Sequence, residues 1–171
     1  MLENRLRRME ISLIVATDEN NGIGINGDQP AFISADLKRF KAITTGNTIV
    51  MGRKTFEALP KGALPNRRNI VISRRPDFSA PECEVISNPE DLKEKVRPDE
   101  KVFVIGGGEI YRIFFPLSDK IILTHIHHRF DEIDTWFPEI SSEKWAVDSK
   151  EGPFEDPKNG LHYSYINYRR K

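Results

Sequence analysis

Residues 11–41 read ISLIVATDENNGIGINGDQPAFISADLKRFK, and the succession of patterns in them decides the fold. Ile11 to Ala16 is an apolar run of the kind that makes a strand buried on both faces. Thr17 to Gln29 is a polar loop punctuated by Gly22, Gly24 and Gly27. Ser34 then offers a helix N-cap, and Ala35 to Lys41 reads helical. Within that helix Leu37 and Phe40 are three apart and share a face, while Asp36 and Phe40, four apart, are neighbours. A carboxylate is thus expected beside an aromatic ring, next to a glycine-rich loop, at the edge of a buried strand. Such a group suits a cationic or amidine-like ring, and partial burial raises its proton affinity by disfavouring the ionised form. On this stretch alone the plainer reading, a first-turn acid favoured by the helix dipole, stands ahead of it.

A chain of 171 residues suits one domain. Its 38% hydrophobic content is enough for a core, and 26 cationic side chains balance 26 anionic ones. Zero net charge argues against general binding to nucleic acid or anionic membranes. Cys83 is the only cysteine, so no intrachain disulfide forms and a reducing cytoplasm fits. No apolar run approaches the roughly 18 residues of a membrane span. The charged start MLENRLRR and the shortness of the first apolar run give no signal peptide. Met9 directly precedes the first strand, so residues 1–8 read as an extension, a tag remnant or an upstream start, and residues 9–171 as the domain.

Further along, Thr48 to Met51 is a short β-branched strand broken by Gly52, and Arg53, Lys54 and Thr55 open a second helix. Basic and hydroxyl groups at a helix start suit phosphate, although a surface turn with solvated cations needs no ligand. Asn69 to Ser73 is another buried-type strand, ending in Ser73, Arg74 and Arg75. In a dinucleotide fold a hydroxyl and two arginines there suit the extra phosphate of NADP rather than the ribose of NAD. Cys83 to Ile86 is a short strand and Pro89 to Val96 a short helix. Lys101 to Ile105 is a strongly apolar strand followed by Gly106, Gly107 and Gly108, with a helix from Glu109 to Phe115. Three successive glycines between strand and helix let a backbone or a ligand approach closely. They do not form G-x-G-x-x-G, so the ordinary Rossmann fingerprint is absent.

Lys120 to His125 is the next strand; His125 and His127 share a strand face, but no acid or cysteine completes a metal site. Trp145 to Asp148 and His162 to Tyr168 read as paired strands joined by a Gly/Pro-rich loop from Glu151 to Gly160. Apolar strands alternating with short helices indicate a mostly parallel α/β sheet, to which the last hairpin adds an antiparallel edge strand. Ligands of such sheets bind at the carboxyl ends of strands. Asp36, Gly52 to Thr55, Ser73 to Arg75 and Gly106 to Gly108 all follow strand ends.

In order and spacing, ISLIVA, NNGIG, ADLKRFK, IVMGRKTFE, LPNRRN, VIGGGEIY and LTHI resemble bacterial dihydrofolate reductases from about Met9 onward. The resemblance implies one α/β domain with a central sheet of about eight strands and about four flanking helices. It implies NADPH-dependent reduction of 7,8-dihydrofolate to tetrahydrofolate by hydride transfer to pterin C6 with protonation at N5. By the same resemblance Asp36 is the catalytic acid that binds the pterin N3 and 2-amino group, supported by Thr124. Ile14, Phe40, Leu59, Leu64 and Ile105 are the apolar wall around the substrate. Arg67 grips its glutamate α-carboxylate, a task for which the guanidinium fork is suited.

For NADPH, the resemblance implies that Ala16, Ile23 and Gly24 surround the nicotinamide. Gly52, Arg53, Lys54 and Thr55 would cradle the pyrophosphate with Gly106, Gly107, Gly108, Glu109 and Ile110, with a cis peptide between Gly106 and Gly107. Arg53, Ser73, Arg74 and Arg75 resemble the 2′-phosphate site. Tyr111 lies near both reacting rings, Thr135 touches cofactor, and Asp134 touches the flexible loop from Asn20 to Gln29. The implied setting is a cytoplasmic monomer inhibited by antifolates of the trimethoprim and methotrexate type. One departure stands out: Ala31 occupies the place of the family's tryptophan, and Phe32 is the side chain that a small backbone shift would bring into the gap. Two other readings share parts of this pattern: an NADPH-dependent pyrimidine reductase of riboflavin synthesis, and a non-catalytic dinucleotide-binding module.

Overall fold

The computed structural model describes residues 9–171, so the expected extension of residues 1–8 lies outside it. The apolar run of the opening stretch becomes β1 (Glu10–Thr17), which is buried along most of its length. Its burial on both faces follows from its place: β1 lies between β6 (Lys101–Val104) and β7 (Lys120–Ile126), parallel to both. An eight-stranded sheet has the order β5-β4-β3-β6-β1-β7-β10-β9. Here β3 is Thr48–Gly52, β4 Arg68–Ile72, β5 Glu84–Ile86, β9 Trp145–Glu155 and β10 His162–Arg170. The first six strands of that order run parallel, and β10 and β9 are added antiparallel, as the hairpin pattern predicts.

Among the described residues, four α-helices flank the sheet: α1 (Ser34–Thr44), α2 (Arg53–Glu57), α3 (Leu92–Lys95) and α4 (Gly108–Phe114). The helix expected over Pro89 to Val96 divides into a 3-10 turn at Pro89–Asp91 and α3. Ser34 does not cap α1. Ile33 holds the N-cap position with no side-chain cap, and it is buried with Ile126 and Tyr163. Apolar anchoring of the preceding residue therefore fixes the helix entry in place of a hydroxyl.

The expected loop from Glu151 to Gly160 is shorter than the composition suggests, because β9 continues to Glu155 through Gly152 and Pro153. Proline is tolerated there because β9 is the sheet edge and Gly152 and Pro153 fall where its register against β10 shifts, between the pairs Tyr163–Phe154 and Tyr165–Glu151. Gly152 is required: a Cβ would lie 3.1 Å from the Tyr163 carbonyl oxygen, and φ is +111°. A small second sheet, β2 (Gly22–Gly24) with β8 (Thr135–Trp136), folds the glycine-rich loop onto the acidic turn from Asp131 to Asp134.

At the amino ends of the parallel strands, Arg68 donates to Glu84 at 2.5 and 2.8 Å and to Glu100 at 3.1 Å. The Thr48 hydroxyl also donates to Glu100. These bonds stitch the starts of β3, β4 and β5 to the turn ahead of β6. At the carboxyl ends the turns after β3 and β6 are joined through glycine backbone, the Gly52 N–H donating to the Gly106 carbonyl.

Candidate active site

In the sheet order β6 fills the space between β3 and β1, so the glycine turn that follows it lies between the carboxyl ends of both. The Gly52 N–H donates to the Gly106 carbonyl at 2.9 Å, joining the two turns directly. The Gly106–Gly107 peptide is cis, and Gly106 has φ +117°, a conformation natural to glycine. Side chains added along this run would meet different neighbours. A Cβ on Gly106 would press the Tyr111 ring at 3.2 Å, and one on Gly108 would lie 2.5 Å from Thr135 Cγ2. One on Gly107 would meet only Thr55 Oγ1, at 3.4 Å. Gly106 and Gly108 are thus needed by the protein's own packing, whereas Gly107 borders open space beside a hydroxyl.

The same contacts gather Ile23, Gly24 and Thr135 at the start of α4. Gly24 lies against Thr135, and Ile23 Cδ1 is 4.0 Å from a Cβ on Gly108. Asp134 accepts from the Asn26 N–H at 2.8 Å and the Thr135 hydroxyl at 2.9 Å, so the acidic turn holds the loop as expected. Those two donors keep the Asp134 carboxyl below its ordinary range. Asp18, buried where β1 ends, accepts from the backbone of Asn20, Gly22 and Phe130 and fixes the root of the loop.

Asp36 lies in the first turn of α1, half-buried, and its carboxylate accepts a bond from the Thr124 hydroxyl at 2.5 Å. Burial pushes its proton affinity up; the Thr124 bond and the Arg39 charge oppose that rise. Tyr111, buried in the middle of α4, donates to the Ile14 carbonyl at 2.7 Å. Its hydroxyl is held neutral first by burial and then by the Asp36 charge, which places the tyrosine and the acid in one electrostatic neighbourhood.

Ile14, Phe40, Leu59, Leu64 and Ile105 form one apolar cluster with Ile49, Met51, Val71 and Phe103. Ala16 belongs instead to a neighbouring cluster of Ile33, Ile126 and Tyr163, together with Ala31. Arg67 stands at the rim of the Phe40 cluster. It donates to the Pro65 carbonyl at 2.9 Å and the Thr44 hydroxyl at 3.2 Å, and lies 6.0 Å from the Phe40 ring centre. Neutral acceptors orient it, so its charge is available to an incoming carboxylate.

The cations expected around a 2′-phosphate are less assembled. Arg53 bonds Glu57 in its own helix, and Arg74 bonds Glu109 at 3.1 Å across two exposed surfaces. Arg75 and Lys54 are exposed. The Ser73 hydroxyl is buried and accepts the Arg75 N–H at 3.2 Å, fixing the turn from which both arginines project. Phe32 does not fill the place left by Ala31; its ring is 56% exposed. Three further residues belong to this region. Leu37, 48% exposed on the helix face of Phe40, could be suspected from spacing alone. Arg39 and Tyr165 are more than a hundred residues apart, and no local pattern joins them.

A cleft of about 690 Å³ lies at the opposite edge of the sheet, among Asn47, Arg67, Arg68, Arg97, Glu100 and Lys101. Arg68 and Glu100 there satisfy one another, and the glycine turns and Asp36 are not among its walls. Volume and chemistry thus point to different edges. The chemistry is the better guide, because the Asp36–Thr124 pair and the glycine turns lie at the carboxyl edge, and Arg67 is the one expected site residue that borders the cleft.

The dihydrofolate reductase family model matches residues 10–170. The chain is 42% identical to dihydrofolate reductase of Bacillus subtilis (strain 168), over 94% of this chain and 95% of that one. It is 38% identical to the enzyme of Staphylococcus haemolyticus, over 95% and 96%. Among solved structures it resembles dihydrofolate reductase from Enterococcus faecalis complexed with NADP(H) and RAB-propyl. That match has a TM-score of 0.86 and 33% identity, covering 95% of this chain and 96% of that chain.

Proposed function

Since the chain belongs to the dihydrofolate reductase family, we propose that its carboxyl-edge site works through Asp36 on the substrate and the Gly106–Gly108 turn on the cofactor. The enzyme reduces 7,8-dihydrofolate to tetrahydrofolate with NADPH. The observation that carries the residue roles is the half-buried Asp36 carboxylate bonded to Thr124 of β7, the strand beside β1, on whose Ile14 carbonyl the Tyr111 hydroxyl is fixed.

The residues present fit the dinucleotide. Gly107 borders open space beside Thr55 Oγ1, and neither α2 nor α4 has a side-chain cap on its first N–H groups. Phosphate oxygens suit such donors. Thr55, Gly107 and Gly108 would hold the pyrophosphate, Arg74 and Arg75 the 2′-phosphate, and Ala16, Ile23 and Tyr111 the nicotinamide end. When bound, NADPH supplies the hydride that pterin C6 receives.

Asp36 pairs with the pterin N3 and 2-amino group and favours a proton at N5, delivered through water. Thr124 holds the carboxylate in register for that pairing. Tyr111, locked to Ile14, keeps its ring against Gly106 and closes the floor between the two compartments. Phe40, Leu59, Leu64 and Ile105 exclude water along the substrate, Leu37 covers its outer face, and Arg67 binds its terminal carboxylate. The β2–β8 sheet folds over the nicotinamide end and keeps solvent from the reacting atoms. Orientation of this kind supplies up to about 7–11 kcal/mol of barrier lowering. Antifolates of the trimethoprim and methotrexate type would occupy the Asp36 end, and the enzyme would act as a cytoplasmic monomer.

The test is NADPH oxidation followed side by side with dihydrofolate and with a pyrimidine intermediate of riboflavin synthesis. Turnover of dihydrofolate alone is expected. Turnover of the pyrimidine, or of neither, would reject the reading.

A further inference from the structure

Ala31, where a tryptophan is expected, packs with Ile33, Ile126 and Tyr163 in a cluster that Tyr165 borders. Tyr165 is the direct cross-strand partner of Thr124, so both side chains rise from one face of the sheet, and Thr124 reaches Asp36. The Tyr165 ring is braced by Tyr163 and Phe154, each 5.6 Å away centre to centre. Arg39 lies three residues after Asp36 on α1, on the same helix face. Its guanidinium carbon sits 4.0 Å from the Tyr165 ring centre, and it donates to Asn167 Oδ1 at 3.4 Å. Asn167 is two residues beyond Tyr165 on β10 and shares its face.

We propose that Arg39 is a positioning residue, a cation clamped on Tyr165 and Asn167 one helical turn from Asp36, whose fixed charge favours the ionised form of Asp36 at the substrate mouth against the pull of burial. The proposal rests on the reading of Asp36 as the acid that grips the pterin. A free arginine on an exposed helix would sample many rotamers; ring, amide and helix spacing together restrict this one. Arg39 influences Asp36 through its charge, across space rather than by a direct hydrogen bond.

The other titratable groups facing Asp36 are accounted for. Tyr111 from α4 is bonded to Ile14 and held neutral by burial. Tyr165 from β10 is pushed up to about 12, chiefly by burial and then by Tyr163 and Asp36. Tyr163 lies beside it on the same strand. From β9, Glu151 pairs with Tyr165 in register and is exposed, which weakens its influence. His125, next to Thr124, alternates to the other face of β7. Arg39 is therefore the fixed cation among them.

The test uses the full chain as wild type, Arg39→Gln, Arg39→Lys and Tyr165→Leu. The Asp36 carboxylate is titrated by carbon NMR without ligands, and hydride transfer to dihydrofolate is followed against pH. In Arg39→Gln the carboxylate midpoint should rise, and hydride transfer on the alkaline limb should increase about two- to fivefold, the range of an exposed charge pair. Raising salt should shift the wild-type midpoint the same way and leave Arg39→Gln unmoved. Arg39→Lys should stay near wild type, and Tyr165→Leu, which frees the cation, should fall between. An unchanged midpoint in folded Arg39→Gln, or equal shifts in the Gln and Lys variants, would overturn the proposal. Absence of dihydrofolate turnover in the wild type would instead reject the functional reading, while the ligand-free titration would still decide the role of Arg39.

Discussion

Gly108→Ala tests whether the glycine turn is shaped by the β2–β8 sheet that packs on it. The added Cβ would lie 2.5 Å from Thr135 Cγ2. Normal carbon–carbon contact is about 3.5–4.0 Å, so Thr135 or α4 must yield by about 1 Å or more. Overpacking of this kind costs about 1–3 kcal/mol. Alanine returns at most about 0.5–1 kcal/mol as the better helix former, leaving a net loss of up to about 2.5 kcal/mol. For a chain of this size that lowers Tm by up to about 10 °C. Thr135 is paired with Gly24, so its displacement shifts the small sheet and should weaken NADPH as well. Thr135→Ser deletes the offending methyl and keeps the hydroxyl that donates to Asp134. Thermal unfolding and NADPH titration of both single variants and the double variant complete the cycle. Most of the Gly108→Ala loss should vanish in the Thr135→Ser background. Additivity within about 0.5 kcal/mol would refute the clash as the reason for glycine.

Asp36→Asn should lower turnover at neutral pH by about 10²-fold or more while NADPH binding survives, measured by steady-state assay and cofactor titration. Its stability effect has the opposite sign. Burial raises the Asp36 proton affinity in the folded state, so from pH 3.8 upward the unfolded chain gives up that proton first and wild-type stability falls as pH rises. The neutral amide of the variant carries no such burden, so urea unfolding should show the variant the more stable at pH 7, with the gap closing near pH 3.8 and below. Arg74→Ala with Arg75→Ala should weaken NADPH by tenfold or more, about 1.4 kcal/mol, and NADH hardly at all; equal weakening of both would remove the 2′-phosphate assignment. Arg67→Ala should raise the dihydrofolate KM by about ten- to a hundredfold with little change in kcat, since a charged hydrogen-bond pair is worth about 1.5–3 kcal/mol. A selective fall in kcat would place Arg67 elsewhere.

The parallel sheet, its antiparallel addition, and the acid, glycine and hydroxyl groups at strand ends are legible in the sequence because each depends on local pattern. An apolar run reports a buried strand, and a glycine after it reports a tight approach, wherever the partner lies. Local pattern failed where a distant contact decided the outcome. Ser34 has the chemistry of a cap, but burial of Ile33 fixes the helix start. Gly152 and Pro153 look like a loop until their place on an edge strand is known. The Arg74–Glu109 pair bridges residues assigned separately to phosphate and pyrophosphate contacts. The clamp of Arg39 on Tyr165 depends on the pairing of Tyr165 with Thr124 across β10 and β7, which no sequence window reads.

Arg68, Glu84, Glu100 and Thr48 tie the amino-terminal edge of the sheet with directional side-chain bonds. At the opposite edge the strand ends meet through glycine backbone, the Gly52 N–H on the Gly106 carbonyl, and the side-chain bonds there, Asp18 with Gly22 and Asp36 with Thr124, belong to the site itself. A change at the site therefore leaves untouched the bonds that set strand order, so sheet order and chemistry occupy opposite ends of the same strands.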